Sequence, residues 1–113
     1  MPTVDELFKQ AETFKRAKQY NEAIDVLNTL LAQDPAHVMS HLTLAVLLGK
    51  VGRHAEAVVH GEKAVELEPN EVFNYTALSV TYREAFEPAR DMQFKFKAEE
   101  AMAKAKELEW RNR

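Results

Sequence analysis

The sequence predicts an all-α protein built as a stack of helix pairs, and three observations support this fold class. The segment at 20–35 (YNEAIDVLNTLLAQDP) is repeated at 54–69 (HAEAVVHGEKAVELEP), at the spacing of about 34 residues that is typical of helix–turn–helix repeats. About three such repeats are needed for stability, and 113 residues hold about three. Apolar residues recur at helical spacing with no strand-like alternation. The residues that recur unchanged are the pairs Glu22 and Glu56, Ala23 and Ala57, and Pro35 and Pro69.

Composition and charge exclude several classes of function. The 15 basic and 18 acidic residues give a net charge of −3, which provides no field for nucleic acid or an anionic membrane. The chain has no cysteine, so disulfides, thiolate metal sites and a cysteine nucleophile are excluded. It has no apolar run of the roughly 18–20 residues that span a membrane. Its first ten residues show no basic region followed by an apolar core, so we expect no signal peptide. We therefore expect a cytoplasmic protein that needs no cofactor.

The first repeat contains two predicted helices separated by a polar break at 18–21. Thr3 and Glu6 form a capping box, in which the hydroxyl and the carboxylate close the start of the first helix. The second helix is expected to begin at about Glu22, and Asp34-Pro35 is expected to stop it, because the residue before a proline disfavours the helical conformation.

The second repeat follows the same plan. Gly49 and Gly52 mark the end of the third helix and the turn after it, and Pro69 closes the fourth helix. Gly61 lies inside the fourth helix, where glycine costs about 1 kcal/mol relative to alanine. We therefore expect two helices to approach each other closely at Gly61.

The third repeat is predicted from its capping and breaking residues. Asn70 is expected to cap the fifth helix, and Pro88 is expected in the first turn of the sixth. The sixth helix is predicted from about Ala89 to Trp110. Its buried seam steps by four or three residues, through Phe94, Ala98, Ala101, Ala105 and Leu108.

These residues resemble the tetratricopeptide-repeat (TPR) family, whose pattern places a large, a small and an aromatic residue in the first helix and two alanines and a closing proline in the second. The matching residues are Leu7, Ala11, Phe14, Tyr20, Ala23, Leu27 and Pro35, then Leu44, Ala45, Leu48, Ala57, Ala64 and Pro69, then Tyr75, Leu78, Ser79 and Tyr82. The resemblance covers nearly the whole chain as one domain, with repeats at about 4–37, 38–71 and 72–113. It implies an α–α superhelix of three antiparallel helix pairs, a TPR-like solenoid. Its first helices would line a concave groove that holds a peptide or helix of a partner.

The chain departs from the family pattern in two places. Gln10 stands at a position that is usually leucine. In the third repeat, EKAVELEP at 62–69 is echoed by AKAKELEW at 103–110, seven residues later than the repeat period predicts. The extra residues fall around 87–94 and are expected to lengthen the last helix at its start.

The expected groove lacks the cations of one TPR subclass, the chaperone-tail binders, which clamp a C-terminal carboxylate with lysine, asparagine and arginine. The equivalent positions here carry Phe8, Glu12, Thr43, Phe73 and Ala77. A bound carboxylate would lose charge-assisted hydrogen bonds worth about 1.5–3 kcal/mol each, so we expect no binding of such tails.

The same groove is mainly apolar and therefore suits a hydrophobic or amphipathic protein segment, which would make the chain an adaptor or scaffold. Alternatively, several of these residues only pack between neighbouring helices. The candidate groove residues are Phe8, Lys9, Glu12, Met39, Leu42, Thr43, Val46, Phe73, Ala77 and Val80, with Lys50 and Arg83 around them.

A second hypothesis is a structural self-association module that forms a homodimer through the extended last helix. Repeat arrays usually need a polar capping helix, whereas the last helix here carries several large apolar residues that would favour association if exposed. Alternatively, this helix bends back over the third repeat and covers its end. The candidate residues are Met92, Phe94, Phe96, Met102 and Trp110.

Catalysis and metal binding find little support in the sequence. His37 and His41 are four residues apart, a spacing that can place two ligands on one helix face, but no third ligand is evident. His54 and His60 lie in or beside the other helix of the same repeat. The C-terminal carboxylates alternate with lysines as a solvated face. We expect neither enzyme activity nor a bound metal.

Overall fold

The computed structural model describes all 113 residues and contains six α-helices and no strand. The helices are α1 (Val4–Arg16), α2 (Tyr20–Gln33), α3 (Val38–Lys50), α4 (His54–Leu67), α5 (Val72–Ala89) and α6 (Met92–Arg111). Turns of two to four residues join them, so consecutive helices are antiparallel neighbours. This confirms the all-α prediction. None of the six helices has the length and apolar character needed to cross a membrane.

The starts and ends of the helices follow local side-chain chemistry. The Thr3 hydroxyl accepts a hydrogen bond from the Glu6 N–H at 3.1 Å, and a Glu6 carboxylate oxygen accepts one from the Thr3 N–H at 3.0 Å. This confirms the predicted capping box. After α1, α3 and α5 the chain reverses through a residue with positive φ. These residues are Lys18 (61°), Gly52 (82°) and Arg90 (53°).

The predicted cap of α5 is wrong, because Glu71 rather than Asn70 precedes the helix. Glu71 lies one repeat period after His37, the residue that precedes α3, so the register of the repeat fixes this boundary. The Asn74 side chain holds the turn by donating to the main-chain oxygen of Glu68 at 3.3 Å. Packing therefore outweighs the capping preference of asparagine.

The predicted boundary between the last two helices is also wrong. Pro88 lies in the last turn of α5, and α6 begins at Met92 rather than at about Ala89. A proline in a last turn costs one main-chain hydrogen bond, while Ala85 in the same turn is buried against the core. The packing of α5 thus continues past the point at which the sequence predicts a break.

The extra residues of the third repeat are shared between two helices. α5 has 18 residues where α3 has 13, and α6 begins three residues before Lys95, the position that matches the start of α4. Most of the added length therefore extends the end of α5, and the rest extends the start of α6 as predicted.

The core consists of two clusters of buried apolar side chains. One contains ten residues from α1, α2, α3 and the start of α4, and the other contains six residues from α4, α5 and α6. Ala57 and Val58 are neighbours on α4 but belong to different clusters. The two clusters therefore meet at α4.

The outer faces of the stack are more polar than its inner interfaces. Gln10 on α1 is exposed, whereas the equivalent Leu44 and Leu78 of the next two repeats are buried. At the other end, Glu99 on α6 is exposed where the equivalent Val58 of α4 is buried. Polar side chains at these packing positions keep both end faces solvated.

Gly61 lies in the contact between α4 and α5. A Cβ atom added to Gly61 would lie 2.9 Å from the Cδ1 atom of Leu78, closer than normal side-chain contact. The equivalent residue of the first repeat is Leu27, whose side chain is fully buried. The predicted close approach at Gly61 is confirmed.

We expect Gly61→Ala to lower the free energy of unfolding by about 1 kcal/mol. The new methyl group must displace the buried Leu78 side chain, and such overpacking costs about 1–3 kcal/mol. Alanine recovers only about 1 kcal/mol of this through its helix propensity. Urea unfolding followed by circular dichroism measures the difference.

Gly49→Ala provides the matched control. Its added Cβ would lie 3.2 Å from a carboxylate oxygen of the exposed Glu84, which is free to move, so this variant should be at least as stable as wild type. A Gly61→Ala protein as stable as wild type would show that α4 and α5 are not held at this distance.

Candidate binding groove

Four large apolar side chains are exposed on the inner face of the superhelix, where α3 and α5 lie side by side. The exposed fractions are 53% for Met39 and 45% for Val46 on α3, and 59% for Phe73 and 40% for Val80 on α5. Within each helix the two residues are seven apart, about two turns, so they lie on one face. Because Phe73 and Val80 follow Met39 and Val46 by one repeat period, both helices present equivalent positions.

Two connected cavities lie between α3 and α5. The first, which we call the crevice, has a volume of about 300 Å³, and its apolar lining includes Leu42, Ala45, Val46, Phe73, Ala77 and Val80. The second, which we call the mouth, has a volume of about 530 Å³ and is lined by Met39, Leu42 and Phe73 together with the acidic residues Asp34, Glu68 and Glu71. Leu42 and Phe73 line both cavities, which therefore form one groove.

The candidate groove residues fall into two groups in the structure. Those of α3 and α5 come together around the two cavities, except for Thr43, which is buried and lines neither. The α1 candidates line neither cavity. The Phe8 ring packs 5.4 Å from the ring of His37, Glu12 pairs with Lys15 at 3.8 Å, and Lys9 is exposed.

The three carboxylates of the mouth were not predicted from the sequence. Asp34 and Glu68 end equivalent helices and are one repeat period apart, so the repeat contained a signal for them. Their position beside Met39 and Phe73 depends on the stacking of the second and third repeats, which the sequence pattern alone does not give.

The five candidate residues for self-association do not share one surface. Phe94 packs inward, with its ring 6.4 Å from that of Tyr82, and Met102 lines a cleft between α5 and α6. Trp110 lies about four turns beyond Phe96, roughly 21 Å along the helix axis. The exposed members are Met92 (48%), Phe96 (61%) and Trp110 (71%).

Two of the four histidines, His41 and His60, form a pair that the sequence did not predict. His41 pairs with His60 on α4, with their Nδ1 atoms 2.9 Å apart, and the His41 Nε2 atom lies 2.8 Å from the carbonyl oxygen of Pro35. Because a carbonyl only accepts, His41 carries its proton on Nε2 and accepts the Nδ1–H of His60 when both rings are neutral. Burial, and then the proximity of His41, lower the pKa of His60.

His37 and His41, whose spacing could place two ligands on one helix face, contact different partners. The His37 Nδ1 atom lies 2.7 Å from the Ser40 hydroxyl oxygen. No group of three or more His, Cys, Asp or Glu side chains comes together with the geometry of a metal site.

No protein-family model and no curated protein matches the sequence. The structure is similar to the crystal structure of MamA, with a TM-score of 0.82 and 17% identity over 97% of this chain and 60% of MamA. It is also similar to the first TPR of Spaghetti (RPAP3) bound to the HSP90 peptide SRMEEVD, with a TM-score of 0.80, 19% identity, and coverage of 95% of this chain and 79% of that one. The Sgt2 TPR domain from Aspergillus fumigatus gives a TM-score of 0.80 and 24% identity over 96% of this chain and 68% of that domain's chain.

These similarities show the class of fold: the chain has the α–α superhelical fold of the tetratricopeptide-repeat proteins. The chain spans 60% of the length of the MamA chain that it matches.

We expect the contact between His60 and His41 to make the free energy of unfolding fall as the pH falls. Because the folded-state pKa of His60 lies below the unfolded value of about 6.5, the unfolded chain binds the proton first. Neutral His60 therefore stabilises the folded state fully at a pH above the unfolded pKa of about 6.5, and this stabilisation is lost as the pH falls below that pKa. We expect a lower free energy of unfolding at about pH 5.5 than at about pH 7.5.

The third repeat supplies a variant without the pair. Tyr75 occupies the position equivalent to His41 and donates its hydroxyl to the Pro69 carbonyl oxygen at 2.9 Å. Between about pH 7.5 and about pH 5.5 the free energy of unfolding should therefore decrease less in His41→Tyr/His60→Ala than in wild type. In His54→Ala it should decrease as much as in wild type. A decrease in the double variant as large as in wild type would exclude the histidine pair as the origin of the pH dependence.

Proposed function

We propose that this chain is a protein-interaction module that holds a hydrophobic or amphipathic segment of a partner in the groove between α3 and α5. The observation that carries this proposal is the exposure of Met39, Val46, Phe73 and Val80 around two connected cavities. Large apolar and aromatic side chains at a cavity are the usual anchors of protein interfaces. A structure of the same fold, that of RPAP3, was solved with a peptide bound, which supports this role by analogy.

The dimensions of the groove favour a short segment of regular structure. Phe73 and Val80 are separated by about 10 Å along α5, or two helical turns. A partner helix with apolar residues at i, i+3 or i+4, and i+7 presents anchors over the same length. The apolar lining of the crevice then removes these anchors from water.

A second candidate function is self-association through the exposed apolar residues of α6, which are Met92, Phe96 and Trp110. It is favoured by the exposure of Phe96 (61%) and Trp110 (71%) on that helix. The cytoplasmic location, and a role without nucleic acid, stay predictions from the sequence.

We expect Phe73→Ser to weaken binding of a groove peptide at least tenfold, and Phe96→Ser to leave it unchanged. The two variants are matched, because both remove a phenyl ring that is about 60% exposed, 59% for Phe73 and 61% for Phe96. A tenfold loss corresponds to about 1.4 kcal/mol, which is within the range expected for an aromatic anchor. The measurement is fluorescence anisotropy with peptides of about 16 residues that are selected from a random library on the wild-type protein.

The same two variants separate the two candidate functions. Equal binding by wild type and Phe73→Ser, with both proteins folded by circular dichroism, would contradict the groove proposal. A wild-type dimer in sedimentation equilibrium that Phe96→Ser converts to a monomer would support self-association through α6. A monomeric wild-type mass at all concentrations would exclude it.

We further expect no binding of the peptide SRMEEVD, the HSP90 segment that is bound to RPAP3 in the related structure. The positions that would clamp its terminal carboxylate carry Phe8, Glu12, Thr43, Phe73 and Ala77, none of which is a cation. Isothermal titration calorimetry provides the measurement. Saturable binding that disappears when the peptide carries a C-terminal amide would show that a carboxylate site exists after all.

A further inference from the structure

The mouth of the groove combines apolar surface with unpaired negative charge. Phe73 (59% exposed) and Met39 (53% exposed) stand beside the carboxylates of Asp34, Glu68 and Glu71 in the same cavity. No lysine or arginine lines this cavity, and His37 is its only other titratable side chain. The mouth therefore presents a negative potential next to an apolar platform.

The three carboxylates of the mouth have no cationic partner within the chain. The structure contains six ion pairs, formed by Glu12, Glu56, Glu66, Glu107 and Glu109 with neighbouring lysines or arginines. None of the six involves Asp34, Glu68 or Glu71. One oxygen of Asp34 accepts the Ala36 N–H at 3.3 Å, which leaves its charge uncompensated.

We propose that the segment held in the groove is an amphipathic helix of a partner protein with lysine or arginine at the end that lies in the mouth. This inference rests on the proposed groove function and adds the charge of the partner. The long stem of a lysine or arginine would pack along Met39 and Phe73 while its head group reaches the carboxylates. The Phe73 ring also offers a face to such a cation.

The continuity of the two cavities allows a single helix to make both kinds of contact. Leu42 and Phe73 belong to both linings, so apolar side chains from one helix face enter the crevice while a basic residue one turn away lies at the mouth. The crevice itself carries one cation and one anion, Lys50 and Glu84, and therefore no net charge. The charge preference is thus confined to one end of the partner.

The experiment uses a display library of helices of about 18 residues. The positions of the apolar face are restricted to Leu, Ile, Met and Phe, and all remaining positions are Lys, Gln or Glu. After selection on the wild-type protein, sequencing gives the charge preference at each position. Fluorescence anisotropy of the most enriched peptides then gives affinities for wild type, Glu68→Gln/Glu71→Gln and Phe73→Ser. Glu107→Gln/Glu109→Gln, with the same change in net charge on α6, is the control.

We expect lysine to be enriched over glutamate at one end of the selected helices. The double variant of the mouth should bind these peptides about fivefold or more weakly than wild type, while the α6 control binds normally. Raising the salt concentration from about 0.05 M to about 0.5 M should remove most of this difference, because Glu68 and Glu71 are exposed to solvent.

The variants distinguish the failure of this inference from the failure of the groove function. Peptides that require Phe73 but show no lysine enrichment, or that bind Glu68→Gln/Glu71→Gln as tightly as wild type, overturn the basic helix and leave the groove function intact. Peptides that bind Phe73→Ser as tightly as wild type, or a selection that enriches none, overturn both.

Discussion

The contact between Gly61 on α4 and Leu78 on α5 controls how the third repeat lies against the second. Without a side chain at Gly61, the buried Leu78 reaches the backbone of α4, and Thr81 approaches the same point. The contact of Leu78 with Gly61 sets the distance between α5 and α4. The groove depends on it, because Phe73 and Val80 stand opposite Leu42 and Val46 only while α5 holds this position.

The sequence predicted the architecture well because the positions of the helices follow from the repeat period of about 34 residues. A helix–turn–helix repeat with apolar positions at helical spacing defines six helices, and the family resemblance indicates how they stack. The local predictions failed where a residue preference competed with this register. Asn70 and Pro88 favour helix starts in isolation, but packing of α5 places the boundaries at Glu71 and Met92 instead.

The sequence predicted only those parts of the site that follow from repeat positions. The apolar groove residues of α3 and α5 follow from repeat positions, and the structure places most of them around two cavities. The carboxylates of the mouth come from turns that are distant in sequence, and only the stacking brings Asp34 beside Glu71. His41 and His60 are 19 residues apart and lie on two helices, so the spacing of residues on one helix face does not predict their contact.

The walls of the groove belong to two different hydrophobic cores. Leu44 and Leu48 anchor α3 in the first cluster, Leu78 and Tyr82 anchor α5 in the second, and only α4 contributes side chains to both. The two packed clusters therefore do not coincide with the three sequence repeats, since the boundary between them falls inside the second repeat. A segment bound across both walls would connect the two clusters by a second route besides α4. Occupation of the groove would thus couple the opening of one half of the chain to that of the other, and a local interaction would stabilise the whole array.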